Sequence, residues 1–364
     1  MTRVTSPRTV LLTGATGLVG AYVLDRLTAE PGLTLHVLVR PGAGDSVGHR
    51  IASLGRYFGR RDLAGRVTIH AGDVSLPGLG LGTAAAARLA AALTDVIHAA
   101  ADVSLEPDRE AVRTVNVLGT QHVLDLCAPR CRLFLVSTAY VAGLCEREFR
   151  ETDLDVGQSF RNAYERSKFE AEVQARQAYA ANPGDLTVCR PSIVVGEYAS
   201  GRTLKFMNLY RVLRLMATFA RRHPGAEFAL DYDPEATQNY VPVDRLADMI
   251  AEVVVRPECW GRTYHLVNDP PIRNREFRAL IEDLLPIRIA NRVPSAADTA
   301  FNVTAVRRTM DYLVYLQGEP RFACANRNGL RSAARPMAFD GPLLARLLHF
   351  GEQTHWGRHA PADL

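Results

Sequence analysis

Thr13-Gly14-Ala15-Thr16-Gly17-Leu18-Val19-Gly20 lies between a short apolar run at residues 9–12 and a helical pattern at residues 18–27. Glycines in such a turn let the backbone bend sharply and approach a pyrophosphate, while the helix N-terminus offers unpaired N–H groups and a positive dipole end. The context of a preceding strand and a following helix makes the motif specific. The stretch therefore predicts a dinucleotide site formed by Thr13, Gly14, Thr16, Gly17, Leu18 and Gly20.

Short apolar runs alternate with helical patterns through the first half of the chain, which is typical of βαβ units. Continuous Val/Leu/Ile runs suit a parallel sheet buried on both faces. The predicted strands cover residues 9–12, 35–39, 67–70, 95–98, 133–137, 186–195 and 264–267, and the predicted helices 18–27, 84–92, 110–126 and 163–180. The expected fold class is α/β, a Rossmann-type doubly wound parallel sheet with a smaller, mostly helical substrate-binding part.

The pattern changes after Gly196, where the segments become mostly helical and are punctuated by Pro and Gly. We expect residues 1–195 and 238–268 to form the dinucleotide-binding domain. Residues 196–237 and 269–364 are expected to form the substrate-binding part.

Composition limits the class of protein. Hydrophobic residues make up 47% and charged residues 23% of the 364, as in soluble globular proteins. No apolar run approaches the ~18 residues of a membrane span, and the N-terminal residues lack the apolar core of a signal peptide, so we expect a cytoplasmic protein that does not insert into a membrane. A net charge of +4 does not call for nucleic acid. The cysteines match neither a zinc site nor a redox pair, so no metal is expected; they are residues 127, 131, 145, 189, 259 and 324.

The end of the second predicted strand indicates which dinucleotide binds. NAD sites usually place Asp or Glu there to hold the ribose 2′-OH, whereas this strand ends in Val39-Arg40. A guanidinium can hold a 2′-phosphate through two hydrogen bonds. Arg40 therefore favours NADPH, with a solvated residue after a strand as the alternative.

Two further strand ends are candidate cofactor contacts. Asp73 and Val74 follow the third strand, where a carboxylate could bind the adenine amino group or simply form a turn. Ala99, Ala100 and Ala101 follow the fourth strand, and their small side chains would let a cofactor lie across the strand ends.

A tyrosine and a lysine open the predicted helix at 163–180. The i, i+4 spacing of Tyr164 and Lys168 places both side chains on one helix face. A nearby ammonium is expected to lower the pKa of the phenol from about 10 and so assist proton exchange. Thr138, at the end of the fifth predicted strand, can donate a hydrogen bond to a substrate carbonyl beside Tyr164.

The chain resembles the extended short-chain dehydrogenase/reductases over about residues 9–268, through the motifs TGATGLVG, HAAADVS, VSTAYVAG, YERSK, CRPSIVVG and NYVPVDRLAD. Within that family it is most similar to the thioester reductase and fatty acyl-CoA reductase branch, on the signals LVRP, GDVSLPGLGL, NVLGT and STAYV. The segment YLQGEPRFACAN near the C-terminus looks like a remnant of the tail found in that branch.

The resemblance implies roles for individual residues. Tyr164 would donate the proton, Lys168 would bind the nicotinamide ribose, and Thr138 would orient the carbonyl. Asn116 would support a proton relay or the helix geometry. Pro191 and Ser192, in the predicted strand at residues 186–195, would line the nicotinamide pocket.

The resemblance also implies a reaction and a partner. In a thioester reductase, hydride reaches the acyl carbonyl carbon and the hemithioacetal collapses to an aldehyde and a free thiol; a second NADPH could then give the alcohol. No adenylation or carrier domain is recognisable in the sequence, so the thioester is expected on a separate acyl or peptidyl carrier protein or as a CoA ester.

Three alternatives compete with this interpretation. A nucleotide-sugar epimerase or dehydratase usually keeps the acidic ribose ligand that Val39-Arg40 lacks, and dehydratases place Asp-Glu after the catalytic Thr where this chain has Ala139-Tyr140. A reductase of free ketones or aldehydes would use the same catalytic residues. A non-catalytic NADP-binding protein would typically lose Tyr164 or Lys168.

A basic helical pattern at residues 204–220 bears on the partner. Its positive charges could steer an anionic carrier protein or coenzyme A. They could equally form the solvated face of a helix packed on its apolar stripe. The charges are Arg211, Arg214, Arg221 and Arg222, and the stripe is Leu209, Leu213, Met216 and Phe219.

Overall fold

The computed structural model describes residues 7–42, 46–105 and 110–358. The strands of this part are β1 (Arg8–Thr13), β2 (Leu33–Val39), β3 (Val67–Ala71), β4 (Asp95–His98), β5 (Arg132–Val136), β6 (Leu186–Pro191), β7 (Ile193–Val195), β8 (Glu227–Leu230), β9 (Thr237–Gln238), β10 (Tyr240–Pro242), β11 (Thr263–Leu266), β12 (Ile272–Arg273) and β13 (Arg288–Asn291). One seven-stranded parallel sheet has the order β11-β6-β5-β4-β1-β2-β3. This is the Rossmann strand order, and it confirms the expected fold class.

The helices of the described chain flank this sheet or form a separate part. They are α1 (Leu18–Leu27), α2 (Val47–Tyr57), α3 (Thr83–Ala92), α4 (Glu110–Arg113), α5 (Gly119–Cys127), α6 (Ala163–Ala178), α7 (Leu209–Arg222), α8 (Val243–Val255), α9 (Asn274–Leu284), α10 (Ala300–Arg308), α11 (Met310–Leu313), α12 (Ala325–Asn328) and α13 (Gly341–Gln353). Helices α1, α2 and α8 cover one face of the sheet with a common apolar core, while α3, α5 and α6 cover the other. A third core joins α7, α9 and α13 away from the sheet.

The strand register aligns the carboxyl ends of the central strands. Thr13 pairs with Leu38 on one side and His98 on the other, and His98 pairs with Leu135. The loops that follow these strands therefore leave from one edge, which is where ligands bind in open α/β sheets.

Several predicted elements differ from the observed ones. The sequence did not predict α2, whose N-cap Ser46 accepts a hydrogen bond from the backbone of His49. The single strand expected at 186–195 is two strands, because β7 leaves the large sheet and pairs with β10. The basic helix begins at Leu209 rather than at residue 204.

One part of the predicted substrate-binding range lies against the dinucleotide-binding half. Leu330 and Met337 belong to the core that contains α1 and α8. Phe322 forms a parallel bridge with Phe149. The C-terminal region thus packs on both parts of the molecule.

No helix in the described ranges combines the length and apolar character needed to cross a bilayer. The cysteines are free thiols, and all except Cys145 are buried. Cys127 and Cys189 pack within the cores on the two faces of the sheet, as small apolar residues do.

Candidate active site

A cleft of about 410 Å³ opens at the carboxyl edge of the sheet. Most of the predicted site residues line it together: Gly14, Thr16, Gly17, Leu18, Arg40, Asp73, Val74, Ala99, Ala100, Ala101, Thr138, Tyr164, Lys168, Pro191 and Ser192. Thr13, Gly20 and Asn116 lie behind its walls. The chain therefore brings residues from the first three quarters of the sequence to one site.

The glycine turn is shaped by close approaches that leave no space for side chains. Gly14 has a φ of 71°, and a Cβ there would lie 2.6 Å from backbone atoms of Ala99 and Ala100. A Cβ on Gly20 would lie 2.1 Å from the carbonyl oxygen of Gly14. The N-cap residue of α1, Gly17, provides no side-chain cap. The first N–H groups of α1 are thus free to bind an anion such as a pyrophosphate.

Thr13 holds the strand ends together behind the cleft. Its hydroxyl lies 2.7 Å from Nδ1 of His98 and accepts a hydrogen bond of 3.3 Å from the backbone of Ala100. Burial, followed by the positive charge of Lys168, lowers the pKa of His98 to about 3. A neutral imidazole therefore connects β1 and β4 beneath the predicted cofactor site.

Asp73 was expected either to bind the adenine amino group or to form a turn, and its side chain makes the contacts of a turn. Its Oδ1 accepts hydrogen bonds of 2.9 Å from both the backbone and the hydroxyl of Ser75. Asp73 and Val74 nevertheless also line the cleft. The turn presents the carboxylate to the cleft, so the two roles are compatible.

A second guanidinium stands beside Arg40. Arg50 of α2 donates hydrogen bonds to the carbonyl oxygen of Arg40 at 2.5 Å and to the hydroxyl of Thr16 at 2.8 Å. Both arginines line the cleft. Sequence reasoning missed Arg50 because it did not predict α2, although the Ser46 cap followed by an apolar periodicity was a usable signal.

Helix α6 positions the tyrosine and the lysine. Its N-cap Asn162 accepts a hydrogen bond of 2.9 Å from the backbone of Glu165, so the helix starts one residue before Tyr164. Lys168 is 2% exposed and donates a hydrogen bond of 2.8 Å to the carbonyl oxygen of Val136. Tyr164 and Lys168 face the same cleft one helical turn apart, as their spacing predicts.

The pKa values of this pair differ from the sequence-based expectation. Burial raises the pKa of Tyr164 to about 12; an interaction with the Thr138 hydroxyl lowers it, and the charge of Glu165 raises it. Burial also lowers the pKa of Lys168 to about 8, against the opposing effect of Glu172. The expected lowering of the Tyr164 pKa by the ammonium was therefore wrong for the protein without ligand, because burial dominates. A protonated phenol suits a proton donor.

Two hydroxyl groups complete the centre of the cleft. Thr138 is 3% exposed; its hydroxyl donates to the carbonyl oxygen of Pro191 and accepts from the backbone of Tyr140, both at 3.3 Å. These long contacts leave it able to turn towards a substrate. The hydroxyl of Ser192 is buried and has no hydrogen-bond partner in the described chain. A buried unpaired hydroxyl that lines a cleft fits a polar group of a bound ligand.

Asn116 acts through the helices. It lies in a π-helical turn, Thr114–Leu118, within the segment predicted as one helix at 110–126. Its side chain accepts from the backbone of Asp102 at 2.8 Å and donates to the hydroxyl of Ser167 at 2.9 Å. Ser167 precedes Lys168 on α6, so Asn116 ties α6 to the segment that follows β4. This geometry supports the helix-geometry alternative for its role.

The sequence model of an NAD-binding family described as male sterility protein matches residues 12–250, about two thirds of the chain. The chain belongs to this family. It is an extended short-chain dehydrogenase/reductase of the thioester reductase branch, which confirms the resemblance noted in the sequence. Membership makes it an oxidoreductase and implies a nicotinamide dinucleotide as cofactor.

Relatives of this reductase occur within much longer proteins. The polyketide synthase-nonribosomal peptide synthetase ACE1 of Pyricularia oryzae is 34% identical over 201 residues, which cover 52% of this chain and 5% of that protein. The isonitrile lipopeptide synthase of Streptomyces coeruleorubidus is 29% identical over 255 residues, 68% of this chain and 17% of that protein. The reductase thus spans only a small part of the length of these relatives.

Solved reductase domains have the same fold. The terminal R domain from the myxalamid PKS-NRPS biosynthetic pathway superposes with a TM-score of 0.80 at 26% identity, over 98% of this chain and 93% of that chain. The reductase domain of a nonribosomal peptide synthetase from Mycobacterium tuberculosis gives 0.71 at 24% identity, over 97% and 94% of the two chains. At that lower identity the second comparison shows the fold alone.

A C-terminal strap, residues 315–322 of the reductase, closes over the start of α6. Tyr315 accepts a hydrogen bond of 2.8 Å from the N-cap Asn162, and Arg161 donates to the carbonyl oxygen of Gly318 at 2.8 Å. The hydroxyl of Tyr140, which lines the cleft, donates to Glu319 at 2.8 Å. The YLQGEPRF part of the segment singled out in the sequence as YLQGEPRFACAN therefore lies beside the start of α6 and contacts the cleft residue Tyr140.

The arginines of α7 favour the solvated-face interpretation of the basic helix. Arg211 pairs with Asp311 at 2.6 Å and Arg221 with Glu352 at 3.0 Å, whereas the apolar stripe of α7 is buried. None of the α7 residues described lines the cleft. The charges of Arg211 and Arg221 are thus engaged within the reductase, and Arg222 lies over the ring of Phe301.

Glu319 should make the stability of the reductase fall as pH rises from 4.5 to about 8. Burial raises the pKa of Glu319 to about 8, against the opposing effects of Tyr140, the backbone N–H of Asn239 and Arg161. A carboxyl group with a raised pKa stabilises the folded state fully below its ordinary pKa of 4.5, and this stability is lost as pH rises through about 8. Since the residue is partly exposed, we expect a loss of ~1–2 kcal/mol in the free energy of unfolding across this window.

Denaturant unfolding at a series of pH values checks this expectation, with Glu319→Gln as the comparison. The amide is always neutral and keeps an oxygen that can accept from Tyr140. The variant should show a shallower decline in stability than the wild type. Identical pH profiles for the two proteins would contradict the expectation.

Proposed function

We propose that this chain is an NADPH-dependent reductase that converts an acyl thioester to an aldehyde, with Tyr164 as the proton donor. The observation that carries the proposal is the meeting of Tyr164, Lys168 and Thr138 in one cleft with the glycine turn. The carrier-dependent assembly proteins among its relatives support a thioester as the substrate.

Different residues of the cleft would bind the cofactor and the substrate. Arg40 and Arg50 would hold the 2′-phosphate, and the N-terminus of α1 would hold the pyrophosphate. Bound nicotinamide supplies the hydride for carbonyl reduction. The glycine turn and the unpaired Ser192 hydroxyl fit this cofactor, because the turn leaves the start of α1 without a side-chain cap and the hydroxyl offers a hydrogen bond. Residues 1–195 and 238–268 would thus form the cofactor domain.

The catalytic residues act on the acyl carbonyl. Thr138 would orient the carbonyl oxygen by a hydrogen bond, and Tyr164 would protonate that oxygen as the carbon is reduced. The resulting hemithioacetal would lose its thiol to give the aldehyde. Lys168 would bind the nicotinamide ribose and orient it against α6, from a position that its hydrogen bond to Val136 already fixes.

The thioester is proposed to arrive on an acyl or peptidyl carrier protein or as a CoA ester. One solved structure similar in fold is a thiolation-reductase di-domain from an archaeal nonribosomal peptide synthetase, with a TM-score of 0.69 at 19% identity. At this identity the likeness establishes the fold only. It motivates the choice of carrier-bound substrates for the assay.

A substrate panel tests the proposal. Acyl-pantetheine and acyl-CoA thioesters would be supplied beside the matching free aldehydes, with NADPH and separately NADH, and oxidation of the cofactor would be followed by its absorbance. Thioester-dependent NADPH oxidation with release of a free thiol supports the proposal. Turnover of aldehydes or ketones without any thioester would move the protein to the ordinary carbonyl reductases.

Arg50 provides a prediction on cofactor selectivity. Replacing Arg50 by Ala removes one guanidinium from the end of β2, and we expect the Kd for NADPH to rise about tenfold because one charge-assisted contact to phosphate is lost. The Kd for NADH should change less than about threefold, since NADH has no 2′-phosphate. Fluorescence titration of the two cofactors measures this. Equal losses of affinity for NADPH and NADH would show that Arg50 supports the turn at Thr16 instead.

A further inference from the structure

Lysine is nearly absent from this protein. The chain contains 43 lysines and arginines, and the only lysines are Lys168 and Lys205. Both line the same cleft. An ammonium is a compact, strongly hydrated charge on a flexible stem, whereas a guanidinium is a rigid planar fork. Arginine fills every other Lys/Arg position, including Arg40 and Arg50 of the cleft, so both lysines of the chain lie at this one site.

The backbone of Lys205 is held in place on the segment between β7 and α7. The buried hydroxyl of Thr203 donates to the carbonyl oxygen of Lys205 at 3.0 Å and accepts from its N–H at 3.4 Å. Leu204 packs against the core of the dinucleotide-binding half, and Phe206 lies 5.9 Å from the stacked ring of Phe350 in the helical part. The neighbours of Lys205 are thus anchored in opposite halves, and its own side chain is left at the junction.

The ammonium of Lys205 is free to meet a ligand. The residue is exposed, and its side chain makes no ion pair or hydrogen bond with the described part of the chain. Lys168 and Arg50, in contrast, both bond to protein oxygens. An unpaired cation at the wall of a cleft raises the local concentration of anions there.

The other charged residues of the cleft already have partners in the proposed cofactor complex. Among the described lining residues the charged ones are Arg40, Arg50, Lys168, Lys205 and one carboxylate, Asp73. The two arginines face the 2′-phosphate, Lys168 faces the ribose, and the N-terminus of α1 faces the pyrophosphate. Lys205 is the cation for which the cofactor leaves no anion.

We propose that Lys205 binds the phosphate of a 4′-phosphopantetheine arm, the group that presents thioesters both on carrier proteins and in coenzyme A. This inference rests on the proposed thioester reductase function. The neighbouring lining residues Ile193, Met207 and Tyr312 are apolar or aromatic and suit the uncharged acyl end of such a substrate. Lys205 would fix the anionic end of the arm at the junction of the two halves.

The test compares two thioesters that share one acyl group, an acyl-phosphopantetheine and the acyl-pantetheine without phosphate. The wild type should prefer the phosphorylated substrate. In Lys205→Ala the KM for the phosphorylated substrate should rise about tenfold, which removes most of that preference, because a charge-assisted contact is lost. Lys205→Arg keeps the charge and should retain much of it. Arg307→Ala removes an exposed cation of α10 that does not line the cleft, and serves as the control.

Two results would overturn the assignment. One is an equal loss for both thioesters in Lys205→Ala, which would make Lys205 a structural residue of the cleft wall. The other is a higher Kd for NADPH in Lys205→Ala, measured by fluorescence titration, while the preference for the phosphorylated thioester is retained. That result would assign Lys205 to the cofactor.

Binding of an arm that cannot be reduced separates this inference from the proposed function. Calorimetry in the presence of NADP⁺ would compare S-methyl phosphopantetheine with S-methyl pantetheine. The inference is supported if the wild type binds the phosphorylated compound more tightly and Lys205→Ala loses this difference. If the same protein turns over no thioester, the proposed reaction fails but the inference about Lys205 stands. No preference in the wild type overturns it. Acyl-CoA and acyl carrier protein, tested in parallel, show which source of the arm depends more on Lys205.

Discussion

Replacing Tyr164 by Phe is expected to lower kcat by a factor of about 10²–10⁴, the range in which a positioned acid or base contributes to catalysis. The ring would still fill its place on α6, so the fold should be unchanged. The lost group is the phenol, which burial keeps protonated by raising the pKa of Tyr164 to about 12. Steady-state turnover of the best thioester or aldehyde substrate, together with a Kd for NADPH, measures the effect.

Whether the loss falls on kcat or on the Kd for NADPH distinguishes a role of Tyr164 in the reaction from a role in binding. A proton donor affects kcat while the Kd for NADPH stays within about twofold, because the phenol acts in the transition state. The matched control is Tyr312→Phe, which removes another hydroxyl of a cleft-lining tyrosine, one that lies 3.0 Å from the hydroxyl of Tyr240. In this control kcat should fall by less than about tenfold. Comparable losses in the two variants would argue against Tyr164 as the donor.

Replacing Glu172 by Gln is expected to lower the free energy of unfolding by about 3–5 kcal/mol, as is typical when one partner of a buried ion pair is removed. Glu172 is fully buried on α6, one turn after Lys168. It accepts hydrogen bonds from Arg190 at 2.6 and 3.1 Å, from Arg176 at 2.8 Å and from the hydroxyl of Ser137 at 2.9 Å. The amide would leave the buried Arg190 guanidinium without a countercharge.

Denaturant unfolding tests this expectation, and Glu170→Gln is the control on the same helix. Glu170 is more exposed and lies 3.8 Å from both Arg113 and Arg166, so its loss should change stability by no more than ~0.5 kcal/mol. A change below ~1 kcal/mol for Glu172→Gln would show that the network contributes little.

Acid provides a second measurement of the same network. Burial works against ionisation of Glu172, but Arg190 and Arg176 hold its pKa at about 2. A lowered pKa stabilises the folded state above the ordinary value of 4.5, and this stability is lost as pH falls through about 2. The acid-induced loss of stability should therefore be smaller in Glu172→Gln than in the wild type.

The central sheet could be predicted from the sequence because its signals are local. The strand expected at 95–98 is β4 to the residue, and the helix expected at 18–27 is α1. Continuous apolar runs specify buried parallel strands, and the glycine turn specifies how the first strand meets the first helix. Helix α2 was missed although Ser46 offers a cap and an apolar periodicity follows it.

The candidate site was only partly predictable. Tyr164 and Lys168 share a helix face because of their i, i+4 spacing, which can be read directly from the sequence. Arg50 and Lys205 reach the cleft only through the packing of α2 and of the segment before α7. Contacts across long stretches of chain have no local signature. The Ser46 cap could have indicated the helix that carries Arg50, but not that this side chain or Lys205 reaches the cleft.

The sequence by itself determined the Rossmann fold class, the glycine turn and the order of the catalytic residues, because each depends on short-range spacing and backbone conformation. Only the tertiary structure decided the state of those residues. Burial raises the pKa of Tyr164, the C-terminal strap places its Glu319 against Tyr140, and Glu172 is paired with Arg190. Burial and ion pairing set protonation, and both arise from neighbours that are distant in the chain.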